Sequence, residues 1–238
     1  MFRQGKPRAF IHNLRLASML SFVAGVVNIS GVLSIHTLTT NVTGHFAFFS
    51  EYFVQGHYQV ALDFVSYIAA FLLGAFCCGF LVEVLLRKKP AISHTIPMLL
   101  ETAILIIAAF ANASIPTEWL ARVLLFSMGL QNALVTKISQ ATVRTTHLTG
   151  LFTDLGIELS QLFFYRNTPS TKKLSRSIYL RLAIIAFFFL GGVIGGFLYT
   201  EIRLYTLLLA AGALLTALAY DNLRFGFHYY VRKMRSKA

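Results

Sequence analysis

The chain carries the same pattern of residues twice, which constrains its fold more than any other feature. A Phe-x-x-Gly-x-x-Asn pattern occurs at 22–28 and again at 126–132, a spacing of 104 residues. A Thr-x-x-Thr-Gly motif follows at 40–44 and again at 146–150, a spacing of 106 residues. Internal repeats in an apolar chain are typical of transporter and channel folds, and their broken helices point to the binding site.

The composition is that of an integral membrane protein. Hydrophobic residues make up 56% of the 238 residues and charged residues only 13%, whereas a soluble domain has about a quarter charged residues. A basic start leads into a long apolar run without a cleavage site for a signal peptide, so the first helix is expected to remain in the protein.

Six segments are apolar and long enough to predict transmembrane helices. They are 14–33, 60–86, 96–111, 120–143, 179–199 and 204–220. Two shorter apolar segments, 44–54 and 150–164, begin at the Thr-Gly motifs and are too short to cross. Each is expected to be a re-entrant helix or a helix lying at the interface. The sequence therefore predicts an all-α integral membrane protein with a single polytopic domain over residues 1–238.

The Lys and Arg residues predict the orientation of the chain. They precede the first span, follow the second, lie between the fourth and fifth, and form a basic tail at 223–238 that can contact anionic lipid. The positive-inside rule then places both termini in the cytoplasm. Repeat one, about 14–112, and repeat two, about 118–222, have opposite orientations, which predicts an inverted-topology repeat of two three-span halves. Glycines in the second and fifth spans allow close packing within the chain or across a homodimer.

The repeated Thr-Gly elements are the predicted substrate-binding site. A Thr before an apolar helix is a natural N-cap, Gly permits close approach, and a helix N-terminus attracts an anion or a polar group. Amides in the middle of the first and fourth spans are expected to line the same site, although helix capping and interhelical hydrogen bonds alone would also explain these residues. The predicted substrate-binding residues are Asn28, Thr40, Asn41, Thr43, Gly44, His45, Gln131, Asn132, Thr146, Thr149 and Gly150.

Glu101 lies inside the third predicted span and is the candidate for ion coupling. An intramembrane carboxyl group is a functional candidate by default, here for a proton or a cation, and the alternative is a paired or protonated carboxyl group near the cytoplasmic boundary.

No other chemistry is predicted. The histidines lack metal-ligand spacing, and the adjacent Cys77 and Cys78 suit packing in an apolar run. The sequence contains no nucleophile motif, phosphate loop or paired-carboxylate pattern, so no metal, cofactor or enzymatic activity is expected. The net charge of +12 sits at the ends of apolar spans, which argues against nucleic acid as a partner.

Four stretches of the chain together resemble the YoaK family, also called the domain of unknown function 1275 family. They are Phe22-x-x-Gly25-x-x-Asn28, Asn41-Val42-Thr43-Gly44, Gly129-x-Gln131-Asn132-Ala133-Leu134 and Arg144-Thr145-Thr146-x-x-Thr149-Gly150-x-x-Thr153-Asp154. The resemblance covers nearly the whole chain and implies a multi-pass protein of the bacterial inner membrane without an established biochemical role. The family more often has Asp at position 28 and Asn at position 45, so this chain lacks one charge and gains one titratable ring.

The repeat and its polar residues predict a small-molecule transporter or facilitator. Its polar or anionic substrate is expected at the paired helix starts near the bilayer midplane. A passive channel and a non-transporting scaffold or regulator that binds a protein partner are the alternatives. In each case the lipid bilayer surrounds the protein.

Overall fold

The computed structural model describes residues 10–111, 115–139, 145–165 and 171–220, and these residues are helical apart from short turns. The basic tail at 223–238 and Arg144 lie outside the described residues. The helices are α1 (Phe10–Ile35), α2 (Val42–Val54), α3 (Tyr58–Lys88), α4 (Thr95–Ala109), α5 (Thr117–Ile138), α6 (Leu148–Phe164), α7 (Thr171–Ile202) and α8 (207–220). Short 3-10 turns at Pro90–Ile92 and Arg203–Thr206 join α3 to α4 and α7 to α8.

The all-α prediction is confirmed, and every predicted apolar segment falls on a helix. The six predicted spans fall on α1, α3, α4, α5, α7 and α8, and the two short segments fall on α2 and α6. In the described part of the chain, three helical stretches are long and apolar enough to cross a membrane: Leu14–Ile35, Tyr58–Lys88 and Thr171–Tyr220, the last containing both α7 and α8. The six crossings and their inverted arrangement stay predictions.

The exterior of the bundle is apolar, and its core lies along α1 and α5. Phe76 and Phe80 on α3, and Phe189 and Phe197 on α7, are each at least 60% exposed. An apolar surface of this kind is unfavourable in water and suits contact with lipid. By contrast, α1 and α5 contribute most of the side chains that are fully buried. The central helix α5 can therefore carry polar residues, because protein rather than lipid surrounds them.

Helices α1 and α7 touch through their backbones. A Cβ atom at Gly25 would lie 2.1 Å from the carbonyl oxygen of Phe188, and one at Gly191 would lie 2.2 Å from the carbonyl oxygen of Phe22. No side chain fits at such distances, so glycine at these two positions is what allows the helices to approach.

Helices α3 and α5 meet in the same way. A Cβ atom at Gly74 would lie 2.0 Å from the carbonyl oxygen of Phe126, and one at Gly129 would lie 2.0 Å from that of Phe71. Each of these four residues corresponds to one at the α1–α7 contact, because positions 22 and 25 recur at 126 and 129, and positions 71 and 74 recur at 188 and 191. The repeated Phe and Gly residues therefore build two equivalent helix crossings.

Buried positions in the first half also recur in the second half at a constant spacing for each helix. Every buried residue of α3 has a buried counterpart on α7, 117 positions later: Ala61 and Ile178, Tyr67 and Ile184, Gly74 and Gly191, Cys78 and Gly195, Val82 and Tyr199. The buried positions of α4, from 97 to 109, recur 109 residues later at 206–218, in the turn before α8 and in α8 itself. Corresponding helices of the two halves therefore bury corresponding faces.

Candidate functional site

After α1 the chain turns back along the helix that it has just left. His36 adopts a left-handed backbone conformation with φ 51, and its N–H donates to the carbonyl oxygen of Val32 at 3.1 Å, which ends the helix. Thr39 then packs against Gly31, where a Cβ atom would lie 2.4 Å from its methyl carbon. The absence of a side chain at Gly31 makes room for the returning segment.

The reversal brings two predicted site residues together. The hydroxyl of Thr40 donates a hydrogen bond to Oδ1 of Asn28 at 3.0 Å. Asn28 lies seven residues before the end of α1 at Ile35, which is about 10 Å along the helix axis. Helix α2 therefore begins about two turns back along α1 rather than beyond its end.

The predicted threonine caps are wrong. Asn41 occupies the N-cap of α2, and its Oδ1 accepts a hydrogen bond from the N–H of Gly44 at 3.1 Å. His147 occupies the cap position of α6 and makes no side-chain capping hydrogen bond. Thr43 and Thr149 each lie one residue inside their helix and are exposed. The short Asn side chain reaches the first-turn N–H from the non-helical position, which a Thr inside the helix does not.

The glycines of the motif make room for these cap residues. A Cβ atom at Gly44 would lie 3.1 Å from Nδ2 of Asn41, and one at Gly150 would lie 2.6 Å from Cδ2 of His147. The cap side chain thus lies over the glycine three positions later in both copies. The space that the sequence assigned to a ligand at each glycine is occupied by the protein itself.

Two threonines that were not among the predicted site residues form the clearest polar feature of the site. Thr39 and Thr145 are 106 residues apart, both are 0% exposed, and neither hydroxyl has a hydrogen-bond partner among the described residues. A buried hydroxyl without a partner costs about 1–3 kcal/mol. The sequence held a signal for them, because a Thr-Thr doublet occurs at 39–40 and at 145–146 with the spacing of the motif.

His45 lies buried between α2 and α3 rather than at an open helix start. Its Nε2 is 2.8 Å from the carbonyl oxygen of Leu38 and donates to it, while Nδ1 has no partner in the described part of the chain. The ring centroid is 5.8 Å from that of Phe64 and 5.7 Å from that of Tyr67. Burial lowers the pKa of His45, and the hydrogen bond to Leu38 opposes this effect. At the corresponding position of the second half stands the apolar Leu151, which is also buried.

The two amides of α5 have different surroundings. Nε2 of Gln131 donates to the carbonyl oxygen of Leu20 at 2.7 Å and so joins α5 to α1, and its Oε1 has no partner among the described residues. The Oδ1 atom of Asn132 is likewise buried without a partner there. Asn132 lines an open cleft of about 320 Å³ between α3 and α5, together with Phe71, Ala75, Gly79, Ala133, Thr136 and Lys137.

The polar residues of the site form two clusters. The first contains Asn28, Thr39 and Thr40, and the second contains Gln131 and Asn132. Gln131 touches α1 at Leu20, and Asn28 lies eight residues further along α1, about 12 Å away at a rise of 1.5 Å per residue. The two clusters therefore lie at different depths along α1 instead of lining one pocket. Thr146, which is half-buried, and Thr145 stand at the start of α6, which packs against α7.

Glu101 is completely buried, away from any helix end. Its exposure is 0%, and neither carboxyl oxygen has a hydrogen-bond partner among the described residues. The neighbouring Thr102 satisfies its hydroxyl within α4 by donating to the carbonyl oxygen of Met98 at 2.8 Å. The environment of Glu101 is thus the protein core, formed where α4 packs against α5 and α3.

A helical bundle whose long apolar helices expose large hydrophobic side chains on its exterior is a membrane protein. The family model described as Protein of unknown function (DUF1275) matches residues 16–220, and the chain belongs to this family, as the sequence resemblance predicted. The chain is similar to the UPF0700 transmembrane protein YoaK of Bacillus subtilis (strain 168), with 29% identity over 183 residues that cover 75% of this chain and 80% of the relative. No solved structure matches the chain.

Proposed function

We propose that this protein is a transporter of a small polar or anionic solute, built as an inverted-topology repeat of two three-span halves. It lies in the bacterial inner membrane with both termini in the cytoplasm, and α2 and α6 are re-entrant helices that enter from opposite faces. The equivalent glycine crossings and the matching burial patterns support the repeat. The backbone reversal that starts α2 beside Asn28 supports re-entry, because backbone at that depth is tolerated where protein surrounds it.

The direction of the α1–α7 contact agrees with this topology. A Cβ atom at Gly191 would meet the backbone of Phe22, and one at Gly195 would lie 3.1 Å from the Cα atom of Val26. Position numbers rise together on the two helices, so α1 and α7 run parallel. In an inverted repeat of two three-span halves, the first and fifth spans both run outward, so they must be parallel.

The observation that carries the proposal is the pair of buried hydroxyls at Thr39 and Thr145. Each is unpartnered among the described residues, and each occupies the same position of its repeat. Because most buried polar groups in proteins are hydrogen-bonded, two buried hydroxyls without partners at equivalent positions suit a solute that forms hydrogen bonds with them. Thr39 and Thr145 belong to different halves, so the solute contacts them in turn as the site opens to one face and then to the other.

The proposal is tested by thermal stability of the purified protein in the presence of inorganic phosphate, amino acids, nucleobases and sugars. Only a compound that binds the folded state raises the apparent stability. We expect a shift of several degrees for one class of compound. The nearly isosteric variants Thr39→Val and Thr145→Val should remain as stable as the wild type without the compound and lose the shift.

The variants Thr43→Val and Thr149→Val are the matched comparison, because they remove exposed hydroxyls of the predicted site. A shift lost only in this second pair would place the solute at the exposed helix starts. A wild type that responds to no compound would contradict the proposal and favour a protein that binds a partner. In reconstituted vesicles, saturable flux with counterflow distinguishes a transporter from a channel, whose flux rises linearly with concentration.

A further inference from the structure

The carboxyl group of Glu101 breaks the symmetry between the two halves in the described core. The buried positions of α4 recur 109 residues later, and the counterpart of Glu101 is Ala210, also 0% exposed. The neighbouring Thr102 corresponds to Ala211 in the same way. The two halves thus bury the same faces, but only the first carries an ionisable group at this position.

The neighbouring helix α5 also carries buried polar residues at positions where its counterpart α1 carries apolar ones. Ser127 and Gln131 are 0% exposed, and their counterparts 104 residues earlier are Val23 and Val27, both also 0% exposed. Each polar residue has an unpartnered oxygen among the described residues. At these buried positions α4 and α5 carry Glu101, Ser127 and Gln131, whereas the counterparts on α8 and α1 are aliphatic.

The surroundings of Glu101 suit a proton and not a metal cation. Hard cations bound by oxygen need about six or more ligands, and neither Glu101 oxygen has a hydrogen-bond partner among the described residues. The described residues also contain no group of three or more His, Cys, Asp or Glu side chains that could hold a metal ion. A proton needs no further ligand and removes the charge that burial makes costly.

No cation of the neighbouring elements neutralises this carboxyl group. The Cys78 thiol on α3 is close enough to interact electrostatically with Glu101 and brings no positive charge. The other charged residues of α3, α5 and the turn before α8 lie in ion pairs with each other or at exposed positions: Asp63, Glu83, Arg87, Lys88, Glu118, Arg122, Lys137 and Arg203.

We propose that Glu101 is a proton-binding site, and that its protonation and deprotonation couple solute movement to the proton gradient. The proton adds to one carboxylate oxygen, which gives the neutral acid in the closed protein, and leaves when the core around α4 opens to water. The coupling role rests on the proposed transport function, whereas proton binding by itself does not.

Infrared spectroscopy of the purified protein in lipid nanodiscs tests the proton directly. At neutral pH the wild type should show the carbonyl band of a protonated carboxylic acid, with the expected shift in D2O. The variant Glu101→Gln should lack this band, whereas Glu51→Gln, which alters an exposed carboxyl group of α2, should keep it. In Glu101→Asp the band should move in frequency and persist, which covers the case that the Gln variant fails to fold. Absence of the band from the wild type, or its loss when Na+ replaces K+, would overturn the proposal.

Proton movement in vesicles then tests the coupling. Vesicles that contain the protein and the internal pH dye pyranine should report proton entry when one compound of the thermal panel is added outside. Glu101→Gln should abolish this entry and keep the thermal shift for the same compound. Proton entry that survives in Glu101→Gln would overturn the coupling role. An acid band without a thermal shift for any compound would leave the proton site standing and remove the transport function.

Discussion

Arg181 occupies on α7 the position that Phe64 occupies on α3, 117 residues earlier, and each side chain holds the short helix that precedes its own. Arg181 forms ion pairs with Asp154 at 3.1 Å and with Glu158 at 3.2 Å, both on α6. The side chains of Arg181 and Glu158 are 18% and 15% exposed, so this ion pair is largely buried, whereas the side chain of Asp154 is 54% exposed.

The same contact in the first half is aromatic. The ring of Phe64 lies 5.3 Å from that of Phe48 and 5.6 Å from that of Tyr52, both on α2. Positions 48 and 52 recur as 154 and 158, at the spacing of the Thr-Gly motif. The short helix is thus held by aromatic contacts in one half and by ion pairs in the other, so the two halves should respond differently to salt.

Replacing Arg181 by Met should lower the free energy of unfolding by about 3 kcal/mol, because it leaves the buried Glu158 carboxylate without a counter-ion. High salt should reduce the difference from the wild type. The double variant Arg181→Met with Glu158→Gln should recover part of the loss. Thermal unfolding in detergent at low and high salt measures all three proteins.

Phe64→Leu is the matched control for the first half. It should cost roughly 1–1.5 kcal/mol through lost packing, and this cost should not change with salt. A salt-insensitive Arg181→Met variant, or one as stable as the wild type, would show that the ion pairs do not hold α6.

The glycine crossings predict a sharp difference among otherwise similar substitutions. Gly25→Ala and Gly129→Ala each place a methyl group within about 2 Å of a backbone oxygen, so each should destabilise the protein by about 2 kcal/mol or more. Gly79→Ala and Gly156→Ala put the methyl group into open space and should be neutral or slightly stabilising.

Equal losses at Gly25 and Gly129 would agree with two equivalent crossings, and denaturation by detergent titration measures them. If Gly25→Ala proved as stable as Gly79→Ala, the close approach of α1 to α7 would be ruled out.

The buried imidazole of His45 predicts a stability that depends on pH. Burial lowers the pKa of His45 in the folded protein, so the unfolded chain binds more protons and stability falls as the pH drops through about 6.5. His45→Asn removes this titration. The melting temperature of the wild type should therefore fall more than that of His45→Asn between pH 7.5 and pH 5.5. Equal falls in the two proteins would contradict the prediction.

The sequence predicted the helices well, because apolar runs and basic ends determine where a chain enters and leaves the membrane. It did not predict the buried hydroxyl of Thr39, because its burial depends on the chain reversal that packs Thr39 against Gly31. The role of Gly44 was likewise not predicted from the sequence. Its lack of a side chain was expected to admit a ligand, and the structure uses that space for the side chain of Asn41.

Thr43 and Thr149 occupy equivalent positions of the two repeats, so labelling them tests whether the two halves face opposite sides of the membrane. Both residues are exposed in the first turn of their helices. Each is replaced by Cys in a chain whose two native cysteines, Cys77 and Cys78, are changed to Ala. A membrane-impermeant maleimide added to intact cells should label Thr43→Cys and should label Thr149→Cys only after the inner membrane is opened. Labelling of both from the same side would contradict the inverted repeat and the transport mechanism built on it.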